Sequence, residues 1–138
     1  MPSVVEQFKE THGRLNEQSL GLLAELYTDD VVFQDPFRRL EGLGALTRYL
    51  AELYAHVETC SFTFEAEVVH AQQAVILWTM SLRHPRLNGG QTVVVPGSTH
   101  VRFRHKIYFH RDYFDAGAML YEHIPVIGMV IRFLKERV

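Results

Sequence analysis

The period of the apolar residues changes at Cys60, and this change restricts the fold more than any other feature of the chain. Before it, apolar side chains recur at helical spacing. Val4, Val5 and Phe8 suit a short first helix, and Leu20, Leu22, Leu23, Leu26 and Tyr27 predict a second over residues 17–27. Leu46, Tyr49, Leu50, Leu53 and Tyr54 form one stripe of a third helix over residues 43–57, entered through Gly42 and Gly44. Between the last two lies Val31-Val32-Phe33-Gln34-Asp35, a short β-prone run halted by Pro36. After Cys60 the period is two. Phe62 and Phe64 alternate with Thr63 and Glu65, and residues 75–82 form a strand-like run containing Trp78. Residues 85–90 read as a loop. Residues 92–103, interrupted by Pro96-Gly97, and residues 106–114 supply the remaining strands. Helices first and antiparallel strands afterwards make an α+β plan.

With 138 residues there is room for one domain, 1–138, in which residues 117–138 form a C-terminal tail or helix. A net charge of −2 argues against nucleic acid as a partner, since that role requires a strongly basic surface. Cys60 is the sole cysteine, so an internal disulfide is excluded and a reducing, cytoplasmic setting is expected. The N-terminal stretch has early acids and no long apolar run, unlike a secretory signal. The tail is apolar and then basic, ending Ile131-Arg132-Phe133-Leu134-Lys135-Glu136-Arg137. A terminal helix docked over the sheet or onto a partner subunit is the favoured reading, and contact with a membrane surface is the minor alternative. His100, His105 and His110 are spaced by five, which sends successive side chains to opposite faces of a strand, so no metal is expected. Aromatic residues make up 12% of the chain, enough to fill a core or to line a ligand cavity.

Three segments carry a resemblance. They are Leu26-Tyr27-Thr28-Asp29-Asp30-Val31-Val32-Phe33-Gln34-Asp35-Pro36, the glycine-led helix after it, and His110-Arg111-Asp112-Tyr113-Phe114-Asp115. In this order and spacing the chain resembles the nuclear-transport-factor-2-like superfamily, in its SnoaL-like branch. The resemblance implies a cone: a strongly bent mixed β-sheet wrapped around N-terminal helices, with an internal apolar pocket. It also implies a small apolar ligand, no cofactor, and frequent homodimers. Members include ketosteroid isomerases, limonene epoxide hydrolases, polyketide cyclases and binding domains without catalysis, so the fold does not supply the activity.

Asp35 shares a strand face with Phe33. The resemblance makes Asp35 a general base, as in ketosteroid isomerases, whereas the local reading is an Asp that ends a strand and caps a turn before Pro36. Asp112 falls where limonene epoxide hydrolases carry a catalytic acid, but the central strand here, Leu77-Trp78-Thr79-Met80-Ser81, lacks their second Asp and their Arg. The first-helix Tyr and the strand acid that form the oxyanion hole of ketosteroid isomerases are replaced by Phe8 and by Thr99 or His100. If Asp112 faces inward, a period of two brings His110 and Tyr108 with it. A turn at Arg104-His105 would then place Thr99, Val101 and Phe103 beside them. The candidate catalytic residues are therefore Asp35, Asp112 and His110, and the candidate substrate contacts are Phe33, Trp78, Thr99, Val101 and Tyr108. Two functions stand: a cofactor-free isomerase, cyclase or hydratase acting on a polyketide-, steroid- or terpenoid-like molecule, or a non-catalytic ligand-binding or dimerisation module.

Overall fold

Ser3 starts the first helix, α1 (Val4–Arg14), through a capping box. Its hydroxyl accepts from the Glu6 N–H at 3.1 Å, and the Glu6 carboxylate accepts from the Ser3 N–H at 3.2 Å. The structure, a computed structural model, describes residues 3–86, 88–117 and 125–137. The helix expected over residues 17–27 is much shorter. The Asn16 side chain accepts from the N–H groups of Gln18 at 2.8 Å and Ser19 at 3.1 Å, an arrangement that competes with helix formation. Leu20–Leu22 make one 3₁₀ turn, α2 is only Leu23–Leu26, and Tyr27 already belongs to the first strand, β1 (Tyr27–Gln34). Tyr27 pairs there with Ile107, so a tertiary partner overrides its helical spacing.

Asp35 lies just beyond β1, followed by a short strand the sequence pattern does not reveal, β2 (Arg39–Glu41). Gly42 turns the chain into α3 (Leu43–His56) at φ 96, a left-handed conformation suited to glycine, and its N–H donates to Val31 O at 2.8 Å. The antiparallel strands follow: β3 (Thr59–His70), β4 (Gln73–Arg83), β5 (Val93–Phe103) and β6 (Ile107–Phe114). They form one six-stranded mixed sheet in the order β2-β1-β6-β5-β4-β3, in which β1 and β6 are parallel. The protein is α+β, with N-terminal helices and this sheet.

Pro96-Gly97 does not interrupt β5. Pro96 pairs with Thr79 of β4, while β6 ends at Phe114 opposite Gly97. Pro96 therefore has a strand neighbour on one side only, the edge-like setting in which proline is tolerated. Gly97 is needed for packing: a Cβ there would overlap the six-membered ring of the Trp78 indole. The core lies between the helices and one sheet face. Phe8, Leu23, Leu26 and Leu46 pack with Ile76, Trp78 and Val101, all nearly or fully buried. Within the tail, α4 spans Pro125–Arg137, its Met129, Val130, Phe133 and Leu134 exposed, and Lys135 Nζ reaches Asp115 Oδ2 at 2.6 Å. No helix among the described residues is long and apolar enough to cross a membrane.

Candidate functional site

Strand β6 carries His110 and Asp112 two residues apart, so both point to one face. Its neighbour β5 sets Thr99 opposite Asp112 and Val101 opposite His110, as a period of two predicts. The expected two-residue turn is longer. Arg104–Lys106 form the loop, the register shifts between Arg102 and Phe103, and Phe103 faces Ile107. Ile107, not Tyr108, is therefore buried near His110. Tyr108 lies half-buried with the Arg104 guanidinium 5.4 Å from its ring centre, and Val101 is wholly buried in the core.

A chain of hydrogen bonds runs through the buried face. Trp78 Nε1 donates to Thr99 Oγ1 at 2.8 Å, and Thr99 Oγ1 donates to Asp112 Oδ1 at 2.6 Å. His110 Nε2 meets the same oxygen at 2.7 Å. Tyr27 Oη lies 2.8 Å from His110 Nδ1 and 2.7 Å from His12 Nε2. Burial alone would raise the Asp112 carboxyl. The charge and hydrogen bond of His110, with the Thr99 hydroxyl, outweigh burial and hold it below its ordinary value. Asp112 is then a carboxylate and accepts only, which makes His110 Nε2 a donor. Where Nδ1 of His110 is bare it accepts from the Tyr27 hydroxyl, and Tyr27 accepts in turn from His12 Nε2–H. Burial, with the charge of His110, pushes His12 down to about 3, despite the opposing charge of Asp112, so His12 is neutral and offers a single N–H. The rings of Phe8, Phe33, Tyr27 and His12 surround His110 at centroid distances of 4.8 to 5.9 Å and leave it buried, while Asp112 keeps partial exposure.

Asp35 is held differently. Its Oδ1 accepts from the N–H groups of Phe37 at 2.8 Å and Arg38 at 2.9 Å, and its own N–H donates to Arg38 O at 2.9 Å. Its Oδ2 accepts from the Tyr49 hydroxyl at 2.5 Å. Burial, then the hydrogen bond and charge of Asp35, push Tyr49 well above the usual phenol range. The Arg38 guanidinium sits 5.2 Å from the Tyr49 ring centre. Both carboxylate oxygens are thus occupied by protein donors, two of them turn N–H groups.

A cavity of about 460 Å³ has Phe33, Asp35, Trp78, Thr99, His110 and Asp112 among its lining residues. Val101 and Tyr108 are not among them. His12, Tyr27 and Tyr49 line it too, although the sequence reading passed over them. His12 had a signal: it follows Phe8 by four residues and so shares its helix face. Tyr27 and Tyr49 had none beyond membership of apolar stripes. Among the described residues no three His, Cys, Asp or Glu side chains gather in a way that would hold a metal ion.

The family model described as SnoaL-like domain matches residues 5–110. Comparison with curated proteins returns no match. A protein from Catenulispora acidiphila with a ketosteroid isomerase-like fold, solved in complex with trimethylamine, superposes with a TM-score of 0.72 at 18% identity, over 86% of this chain and 90% of that one. TerC, co-crystallised with polyporic acid, superposes with a TM-score of 0.70 at 15% identity, over 83% of this chain and 93% of that one. A protein of unknown function from Burkholderia pseudomallei matches with a TM-score of 0.73 at 13% identity, over 96% of this chain and 97% of that one. At these identities the likeness is one of fold.

Proposed function

The chain belongs to the SnoaL-like domain family, and on that premise we propose that it binds a small, largely apolar, ring-bearing molecule and moves a proton on it without a cofactor, with Asp112 as the base. One observation carries the reading. Asp112 Oδ1 takes both protein hydrogen bonds, from Thr99 and His110, while Oδ2 has no partner among the described residues, and the side chain lines the cavity. A carboxylate oriented through one oxygen and open at the other is a proton acceptor in place. His110 positions it and offsets part of its charge, and Thr99, anchored by Trp78, fixes its rotation. A substrate proton passes to Oδ2, the electron pair it leaves moves into the substrate's π-system, and the proton returns at a different atom. That is the course of an isomerase; in a cyclase the same pair attacks a carbonyl carbon of the substrate, whose π pair moves to oxygen and takes the proton. Asp35, the base implied by family position, takes a structural part here, because three donors already occupy it.

In this reading the cavity is the ligand pocket, enclosed by a bent sheet around the helices, and Phe33 and Trp78 form apolar walls. Residues 1–138 act as one domain. Outward-facing Val68 and Val75, paired across β3 and β4 and both exposed, support a homodimer through the sheet. A lone half-buried cysteine fits the cytoplasm.

The saturated Asp35 favours one other reading, a binding module without catalysis. Deuterium exchange at the α-carbon of α-tetralone, followed by NMR in D₂O, separates the two. Catalysis predicts exchange in the wild type, a loss of about a hundredfold or more in Asp112→Asn, and less than about tenfold in Asp35→Asn. Binding of the ketone without exchange selects the module, and equal loss in both variants removes the assignment of the base.

A further inference from the structure

Beyond the main cavity lies a second one of about 280 Å³, lined by Leu15, Asn16, Glu17, Gln18, Glu58 and Thr59 on its outer side. Three residues line both cavities: Tyr54, Val57 and Cys60. The local chain explains why they coincide. Tyr54 lies in the last turns of α3, Val57 ends that helix, and β3 begins two residues later at Thr59, so the short link folds Cys60 back against Tyr54. Tyr54 and Cys60 face one another closely enough that each shifts the other's titration. On the far side the loop at residues 16–19 is braced by its own side chains: Ser19 Oγ donates to Arg14 O at 3.1 Å and accepts from the Asn16 N–H at 2.8 Å. Glu17, Gln18, Glu58 and Thr59 are exposed, so the second cavity opens to solvent.

The two chambers differ in chemistry. Around Tyr54 and Cys60 the main cavity is aromatic and aliphatic, with Phe62 and Leu50 among its walls. The second presents amide, hydroxyl and carboxylate groups and, among the described residues that line it, no cationic side chain. We propose that Tyr54, which lines both chambers beside Val57 and Cys60, is the specificity-determining partition that sets how long a ligand the main cavity accepts, and that displacing it lets the hydroxylated or amine-bearing end of a longer amphiphile enter the polar chamber. This rests on reading the main cavity as the ligand pocket. A ring-bearing molecule with a short substituent fits behind the partition. A molecule whose chain ends in a hydrogen-bonding group passes it only when the Tyr54 ring swings away.

The probe is a series of 4-(ω-hydroxyalkyl)phenols with chains of two to eight methylenes, titrated calorimetrically against the whole protein. In the wild type, affinity should rise about fourfold per methylene and then stop rising at one chain length. In Tyr54→Ala the rise should continue for at least two more methylenes, while Tyr54→Phe, which keeps the ring, should stop where the wild type stops. An unchanged stopping length in Tyr54→Ala overturns the proposal. Val57→Ala thins the same partition and should also lengthen the series, which keeps the test open if Tyr54→Ala does not fold. The sole cysteine provides a readout that needs no ligand. Burial pushes the Cys60 thiol up to about 11, with the Tyr54 hydrogen bond opposing, so it reacts slowly in the intact protein. Alkylation by iodoacetamide should be at least tenfold faster in Tyr54→Ala and no faster in Tyr54→Phe. Equal rates in all three proteins overturn the partition. Faster alkylation in Tyr54→Ala with no phenol binding in the wild type leaves the partition standing and removes the ligand-pocket reading instead.

Discussion

Asp35 and Asp112 line the same cavity, yet their surroundings have little in common. Asp35 is half-buried at the end of β1, and its donors come from nearby in the chain: two turn N–H groups within three residues and a tyrosine fourteen residues on. Asp112 sits on an interior strand, and its network draws on His12, Tyr27, Trp78 and Thr99 from four other elements. A carboxylate satisfied by its own turn can be lost at the cost of that turn. A carboxylate satisfied by side chains from across the sheet ties those elements together, and its one open oxygen is available because the others are fixed. The two carboxylates differ here in where their hydrogen-bond donors come from.

The widest separation between the two sites should appear on removing His110. His110→Ala takes one of two partners from each of Asp112 and Tyr27, leaving them only Thr99 and His12, and should cost about 3 to 5 kcal/mol in urea unfolding. A loss no greater than that of Asp35→Ala would break the contrast.

Acid should separate them next. His12 is held at about 3 in the folded protein, against 6.5 for an unperturbed imidazole, so between those values the unfolded chain binds a proton the folded one refuses. Stability must fall as pH drops through that window, by up to about 1.4 kcal/mol per pH unit. Asp112 acts in the same direction but lower: its stabilisation is present above its ordinary value of 3.8 and is lost as pH falls through its depressed folded value. Urea midpoints at pH 6.5 and pH 4.5 should differ by about 2 to 3 kcal/mol in the wild type and by clearly less in His12→Gln. Asp35→Asn should keep the wild-type slope. A His12→Gln protein as acid-sensitive as the wild type would show that the imidazole is not the group responsible.

Asp35→Ala itself should cost about 1 to 2 kcal/mol, the range of a lost cap, and Asp35→Asn less, since its amide oxygen still accepts from the turn. Smallest of all, Tyr49→Phe removes one hydrogen bond to Asp35 and should cost about 1 kcal/mol in thermal or urea unfolding. If Tyr49→Phe cost as much as His110→Ala, the surroundings of Asp35 would be as tightly coupled as those of Asp112, and the two carboxylates would belong to one network.

Several of these features were legible before any coordinates. The period change at Cys60 marks where helices give way to the long strands, and the alternation along residues 92–103 and 106–114 puts Thr99 opposite Asp112 and Val101 opposite His110. Other expectations failed for local reasons with non-local causes. Tyr27 keeps helical spacing with Leu23 and Leu26 but joins the sheet, because pairing with Ile107 satisfies its backbone. Tyr108 loses its place on the inner face to Ile107, because Arg102 pairs with Phe109 and Phe103 with Ile107, leaving Tyr108 as the extra residue of β6.

The sequence by itself determined the α+β order, the family resemblance, and the face that His110 and Asp112 share. Each of those follows from spacing along a single segment, and backbone geometry makes such spacing a local property. Only the tertiary structure decided which carboxylate is spent on a turn and which is left open, and which aromatic hydroxyl completes the buried chain. Tyr27 and His110 are 83 residues apart, and their hydrogen bond exists because β1 and β6 lie side by side in parallel. A contact of that kind depends on register and on strand order. Neither is encoded in the periodicity of any one segment.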